Sequence, residues 1–199
     1  MSSSPLLTQL IEALQCLPGV GPKSAQRAAF HLLQRDRDGA RRLAEVMAHA
    51  MDDIGRCSRC RTLSETDLCA LCAAPAREDS QLLVVESPID IAAIESSTEY
   101  RGRYFVLLGH LSPIDGITPE TLGMPLLAER LAEGGVNELI IATGATMEGE
   151  ATAHYLKTMA DRADVESSRI AFGVPMGGEL EFVDGSTLSA ALNGRRPLS

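Results

Sequence analysis

The sequence predicts an α+β protein built from several parts. A helical N-terminal region is followed by a small four-cysteine metal module, then an α/β unit with a mostly parallel sheet, then a short C-terminal segment. Three observations carry this prediction. Apolar side chains recur at helical spacing from residue 5 to about residue 54. Four of the five cysteines fall within sixteen residues. From residue 81, short apolar runs alternate with helical stretches.

Charge is divided unevenly along the chain. Residues 1–62 hold nine Lys/Arg against six Asp/Glu, a net +3. Residues 63–199 hold nine against twenty-one, a net −12, which together give the overall −9. A mildly basic front suits phosphate contact. An acidic remainder suits a basic protein partner, self-assembly, or nothing beyond solubility. There is no Trp, and aromatics make up only 4%, so base stacking is not the expected binding mode. No basic stretch leading into an apolar one follows Met1, and no apolar run approaches the roughly 18 residues of a membrane span. A cytoplasmic protein is expected, without membrane attachment.

The first helix is expected over 5–16, with Leu6, Leu7, Leu10, Ile11 and Leu14 on one face. The turn Leu17-Pro18-Gly19-Val20-Gly21 follows, and Pro22 opens a second helix. A third covers Ala40 to Ile54. Gly19 and Gly21 let the backbone turn tightly and approach a ligand closely. The free N–H groups and dipole of the second helix suit a phosphate there. Lys23 and Arg27, four apart on one helix face, can flank the same phosphate run. This arrangement resembles a helix-hairpin-helix, a sequence-independent binder of the DNA backbone. An ordinary helical hairpin with glycines that only close the turn is the alternative.

Cys57-x-x-Cys60 and Cys69-x-x-Cys72 are separated by eight residues. Each pair can aim two thiolates at one point, which is a ligand set for tetrahedral Zn²⁺ with Zn–S about 2.3 Å. All four positions are filled, so the metal is expected to be structural. Two disulfides or a redox pair is the alternative, and a disulfide reading needs an oxidising compartment. Cys16, among apolar helix residues, is expected to be a buried packing thiol. Arg56, Arg59 and Arg61 are either phosphate contacts or solvated loop charges.

In the α/β unit, strands are expected at Leu82–Val85, Tyr104–Leu108, Leu139–Ala142 and Ser168–Phe172. Helices are expected from Ser87-Pro88 to Glu95, from Thr118-Pro119-Glu120 to about Glu133, and from Glu148 to Arg162, with a short one near Thr187–Leu192. Glu86 ends the first strand, and Glu148 and Glu150 follow the third, at the edge where α/β sheets place functional groups. Three carboxylates there can hold Mg²⁺. His110 is placed at the same edge as Glu86. No nucleophile–base set and no Walker A motif is readable.

This carboxylate edge resembles the Toprim module of topoisomerases and primases. Those enzymes carry an Asp-x-Asp before Glu-Gly-Glu, and the corresponding positions here are Gly144 and Thr146. The whole chain, in the order of its parts, resembles the bacterial recombination mediator RecR. The residues that carry this are Leu17-Pro18-Gly19-Val20-Gly21-Pro22-Lys23, the four cysteines, Gly109-His110-Leu111-Ser112-Pro113, Glu148-Gly149-Glu150 and Gly173-Val174-Pro175-Met176-Gly177-Gly178-Glu179-Leu180. The family usually reads Asn-Pro at Gly144-Ala145, and His at Phe172.

The resemblance implies a helix-hairpin-helix region at 1–55, a four-cysteine zinc finger at 56–74, a Toprim domain at 80–176 and a C-terminal oligomerisation segment at 177–199. It implies a non-enzymatic DNA-repair factor that acts with RecO and RecF to load RecA on gapped DNA, and that assembles as a dimer or ring-like tetramer. Such a protein is cytoplasmic and associates with the nucleoid when bound to DNA. An Mg²⁺-dependent nuclease or primase using Glu86, Glu148 and Glu150 is the enzyme alternative. A zinc scaffold that never touches DNA is a third.

Overall fold

The computed structural model describes residues 4–195. Residues 1–3 and 196–199, which belong to the expected terminal segments, lie outside the described residues. The chain forms two compact units, one up to Ile54 and one from Gly55 onward.

The first unit contains α1 (Pro5–Leu14), α2 (Pro22–Arg35) and α3 (Arg37–Asp53). Prolines open α1 and α2, at a position where a missing N–H removes no helical hydrogen bond. The α1–α2 connection turns at Gly19, whose φ of +77° lies in the left-handed region that a side chain resists. Asp36 follows α2 and caps α3, accepting the Gly39 N–H at 2.8 Å. This cap starts α3 at Arg37 rather than the expected Ala40. Among the described residues of this unit, only Ala25 and Ala29 are buried. Leu43, Val46, Met47 and Met51 stay exposed along one face of α3. Cys16 is exposed rather than buried, because it follows α1 in the turn where the helix face no longer packs.

The second unit begins with a two-stranded antiparallel hairpin, β1 (Gly55–Arg56) with β2 (Leu63–Ser64), and the short helix α4 (Ala70–Ala73). These carry the cysteines. The sheet follows: β3 (Glu78–Val85), β4 (Gly102–Val106), β5 (Glu138–Ala142) and β6 (Glu166–Arg169), all parallel, in the order β4-β3-β5-β6. Three helices connect the strands: α5 (Pro88–Ser97), α6 (Met124–Ala132) and α7 (Met147–Arg162). A 3₁₀ turn at Leu180–Phe182 and α8 (Gly185–Asn193) lie in the C-terminal segment.

Alternation along the strands divides the core. Leu82, Val84, Phe105, Leu107, Leu139 and Ile141 pack with Leu127 and Leu131 of α6 and Leu156 and Ala160 of α7. Leu83, Val85, Tyr104 and Val106 face the other way, onto Ile91 of α5 and all four cysteines. Both faces are covered, which is why the strands read as continuous apolar runs. The metal module therefore shares a core with the sheet.

Two elements differ from expectation. Thr118 does cap a turn, accepting the Thr121 N–H at 3.4 Å, but that turn stops at Gly123, whose φ is +71°. The helix α6 restarts at Met124, with Pro125 in its first turn. The last strand is Glu166–Arg169 rather than 168–172, because its register is set by pairing with Glu138–Ile141.

Leu156 is fully buried between α7 and the sheet. Leu156→Ala is expected to cost about 2–5 kcal/mol, measured by urea unfolding of the second unit.

Candidate metal centre and nucleic-acid interface

The four cysteines come from two tight loops. After β1, Cys57 and Cys60 turn back toward β2, with the Arg61 N–H donating to the Cys57 carbonyl at 2.9 Å. Cys69 caps α4, its sulfur accepting the Cys72 N–H at 3.4 Å, and the Cys69 N–H donates to the Cys57 sulfur at 3.4 Å. All four sulfurs lie within 4.8 Å of one another, and Cys60 Sγ is 3.6 Å from Cys69 Sγ. A tetrahedron with Zn–S about 2.3 Å needs sulfurs about 3.8 Å apart, so the set fits zinc. The Cys60 thiol shares a hydrogen bond with Cys72, which raises the pKa of Cys60 and lowers that of Cys72 to about 5. Metal binding replaces such shared protons with four thiolates. These buried cysteines form a four-thiolate zinc site.

Arginines fasten this module to the sheet. Arg61, in a left-handed conformation (φ +66°), donates to the carbonyls of Val106 at 3.0 Å and Leu107 at 3.3 Å, and also to that of Leu122. Its guanidinium lies over the Phe105 ring. It is thus neither a phosphate contact nor a solvated charge. Arg103 of β4 donates to the carbonyls of Leu71 at 2.8 Å and Cys72 at 3.0 Å. Arg130 of α6 reaches the carbonyls of Tyr104 and Arg59. The Val106 N–H of β4 donates to the Cys60 carbonyl at 2.9 Å. Arg56 and Arg59 remain exposed.

In the first unit, Gly21 precedes α2 with no side chain capping the helix. A Cβ on Gly21 would meet nothing within 4 Å, so nothing within the protein fills the space beside that backbone. Lys23 and Arg27 are exposed, one turn apart on α2. The structure thus leaves the candidate phosphate-binding groups on the surface together.

At the C-terminal edge of the sheet, the carboxylates go to separate partners. Glu86 accepts the Gly144 N–H at 2.8 Å and faces His110 Nδ1 at 3.5 Å. Glu150 pairs with Arg169 at 2.5 Å. Arg169 also donates to the Gly144 carbonyl at 3.1 Å and stacks over Phe172 at 4.8 Å. Glu148 is exposed in the first turn of α7. The cysteines are the one group of three or more His, Cys, Asp or Glu among the described residues whose ligand atoms converge. Glu86, Glu148 and Glu150 share this edge without their carboxylates converging on one point: Glu86 and Glu150 are each held by a local donor. His110 lines this edge beside Glu86, as expected.

Sequence reasoning passes over Arg103, Arg130 and Arg169. A signal is present in two cases. Arg103 directly precedes the apolar run Tyr104-Phe105-Val106, and Arg130 directly precedes Leu131 on the apolar side of its helix. A charge that interrupts a core pattern needs a partner.

Cys57→Ser is expected to lose zinc, measured by metal content, and to lower the thermal stability of the second unit, because metal binding and folding are coupled. A stable, metal-free variant would contradict the site. Gly149 is buried against the Gly144 carbonyl, where a Cβ would collide with backbone. Gly149→Ala is expected to cost about 1–3 kcal/mol by denaturant unfolding.

Four family models match the chain in order. They are described as RecR, helix-hairpin-helix over residues 7–51, RecR, four-cysteine zinc finger domain over 54–74, Toprim domain over 80–171, and RecR, C-terminal over 173–196. The hairpin and zinc finger support DNA binding, and no helix among the described residues is long and apolar enough to cross a membrane. Helical hairpin, zinc-bearing loops, parallel sheet and C-terminal segment follow one another as those models require, and the chain belongs to the RecR family.

Proposed function

We propose that this chain is a DNA-binding adaptor, without catalysis of its own, that acts with RecO and RecF to promote RecA loading on gapped DNA. Membership in the RecR family supports a recombination mediator role in DNA repair. The named partners and the loading step are proposed from the family resemblance.

The observation that carries DNA binding is the uncapped N-terminus of α2, entered through Gly19 and Gly21 and followed by exposed Lys23 and Arg27. Backbone N–H groups and two cations there suit phosphates, and nothing in the arrangement reads a base. Binding is then sequence-independent and salt-sensitive. Self-assembly fits the first unit, which buries only two alanines among its described residues and leaves Leu43, Val46, Met47 and Met51 exposed on α3. A unit this small gains little stability from its own core, and a second copy covering that stripe supplies the missing burial. Several hairpins in one assembly then act on one duplex together. The acidic second unit, with Glu148 exposed at the sheet edge, is the proposed dock for a basic partner such as RecO.

The adaptor reading is favoured over an Mg²⁺-dependent nuclease or primase by the edge itself. Glu86 is engaged with Gly144 and His110, and Glu150 with Arg169. Gly144 and Thr146 supply no carboxylate. A divalent-metal-dependent cleavage of DNA that disappears in Glu86→Ala would establish the enzyme instead.

The test is DNA affinity against salt for the wild type and Lys23→Ala/Arg27→Ala, with oligomeric state measured in the same samples. The double variant is expected to keep its oligomer, to bind DNA more weakly, and to lose about 1 from the salt slope for each phosphate contact removed. Unchanged affinity and slope would leave the hairpin as scaffold. Separately, Val46→Glu/Met47→Glu is expected to lower the oligomeric state in sedimentation.

A further inference from the structure

Arg130 is 7% exposed, deep between α6, the sheet and the metal loops. Its Nη1 donates to the Tyr104 carbonyl at 2.9 Å and to the Arg59 carbonyl at 3.3 Å. Its Nε is buried without any hydrogen-bond partner. No carboxylate among the described residues pairs with it. A buried guanidinium left in this state is costly unless some other negative charge lies close by. Burial opposes its charge first of all, the neighbouring Arg59 and Arg103 oppose it too, and Cys72 and Cys60 favour it.

Zinc held by four thiolates is a dianionic centre. We propose that Arg130 is the counter-cation of that centre: the zinc thiolates make the burial of Arg130 tolerable, and Arg130 lowers the electrostatic cost of gathering four thiolates at one point. The zinc site thus extends to a residue far outside the cysteine loops. Arg130 is a positioning residue as well. Its grip on the Arg59 carbonyl fixes the loop between Cys57 and Cys60, while its grip on Tyr104 fixes that loop to β4.

Arg103 provides the contrast within the same structure. It too is 7% exposed, and it grips the second loop through the Leu71 and Cys72 carbonyls. Its charge, however, is already met by Asp79, 2.9 Å from Nε. Arg103 is therefore a brace that does not depend on the metal for its charge. The two arginines separate the mechanical contribution from the electrostatic one.

The experiment uses the full-length, zinc-loaded protein. Zinc release to a chromogenic chelator is followed for the wild type, Arg130→Met, Arg130→Lys and Arg103→Met. Thermal unfolding of each is recorded with zinc bound and after zinc is stripped. Arg130→Met is expected to release zinc about 10–100-fold faster than the wild type, as for other residues that support metal ligands. Arg130→Lys, which keeps the charge and loses the fork, is expected to fall nearer the wild type. Stripped of zinc, Arg130→Met is expected to lose less stability than it loses with zinc bound, since the cost of freeing the two carbonyls is offset by no longer burying an unpaired cation. Arg103→Met is expected to lose stability in both states alike.

Three results would overturn the proposal. One is Arg130→Met holding zinc as the wild type does. Another is Arg130→Lys releasing zinc as fast as Arg130→Met. The third is Arg130→Met losing the same stability with and without zinc, which marks a carbonyl brace only. If methionine at this position does not fold, Arg130→Gln, which keeps a donor for the Tyr104 carbonyl, enters the same comparison with Arg130→Lys.

Discussion

A zinc ion needs four sulfurs about 3.8 Å apart, and that demand organises much more than the sixteen residues that supply them. The loops around the cysteines contain few large apolar side chains beyond Leu63, Leu68 and Leu71, so the metal takes the place of a core there. The cysteine side chains then form part of the surface against which Leu83, Val85, Tyr104 and Val106 pack. One face of the sheet is thus covered by α5 and by metal-bound thiolates. The other is covered conventionally, by α6 and α7. The arginines that cross between loops and sheet exist because knuckle loops expose carbonyls that face the protein interior rather than water. Buried carbonyls need donors: Arg103 and Arg130 reach the loop carbonyls of Leu71, Cys72 and Arg59, while Arg61 reaches out of the loop to those of Val106, Leu107 and Leu122.

The local parts of this fold are legible in the sequence. The helices of the first unit, the cysteine spacing and the apolar runs of β3 and β5 announce themselves within a few residues. Glu86, Glu148 and Glu150 fall at the expected end of the sheet for the same reason. The differences come from interactions that are not local. The start of α6 depends on Gly123 adopting a left-handed conformation after a capped turn. The limits of β6 depend on its register with β5, some thirty residues earlier. Cys16 lies two residues past the end of α1, a helix that itself buries no residue, so its apolar neighbours in sequence do not bury it. Three carboxylates placed at one edge read as one site, while the fold gives Glu86 a backbone N–H and Glu150 an arginine. A sequence shows which groups reach an edge. Which of them face one another is decided by the partners waiting there.

The two units divide the chemistry sharply. The first is a helical surface with little interior, its six Lys/Arg matched by six Asp/Glu, on which Lys23 and Arg27 stand exposed together beside the hairpin turn. The second is acidic and well packed, and its polar edge is knitted into the backbone at Gly144, whose N–H and carbonyl are both taken by side chains. An edge tied in this way is rigid. Rigidity suits a docking face, because little order remains to be imposed when a partner binds.

The sheet itself has two edges, and they are closed differently. The outer side of β6 reads Glu-Ser-Ser-Arg, a short and polar strand of the kind that discourages pairing with a stranger. On the other side, β4 is Gly-Arg-Tyr-Phe-Val, apolar over most of its length and buried throughout. Its outward N–H at Val106 meets the Cys60 carbonyl, so the zinc loop lies where a further strand would otherwise add. Retention of the metal is therefore also protection against aggregation. Once the loop is released, β4 presents an unpaired, apolar edge of the type from which strand-to-strand association between molecules begins.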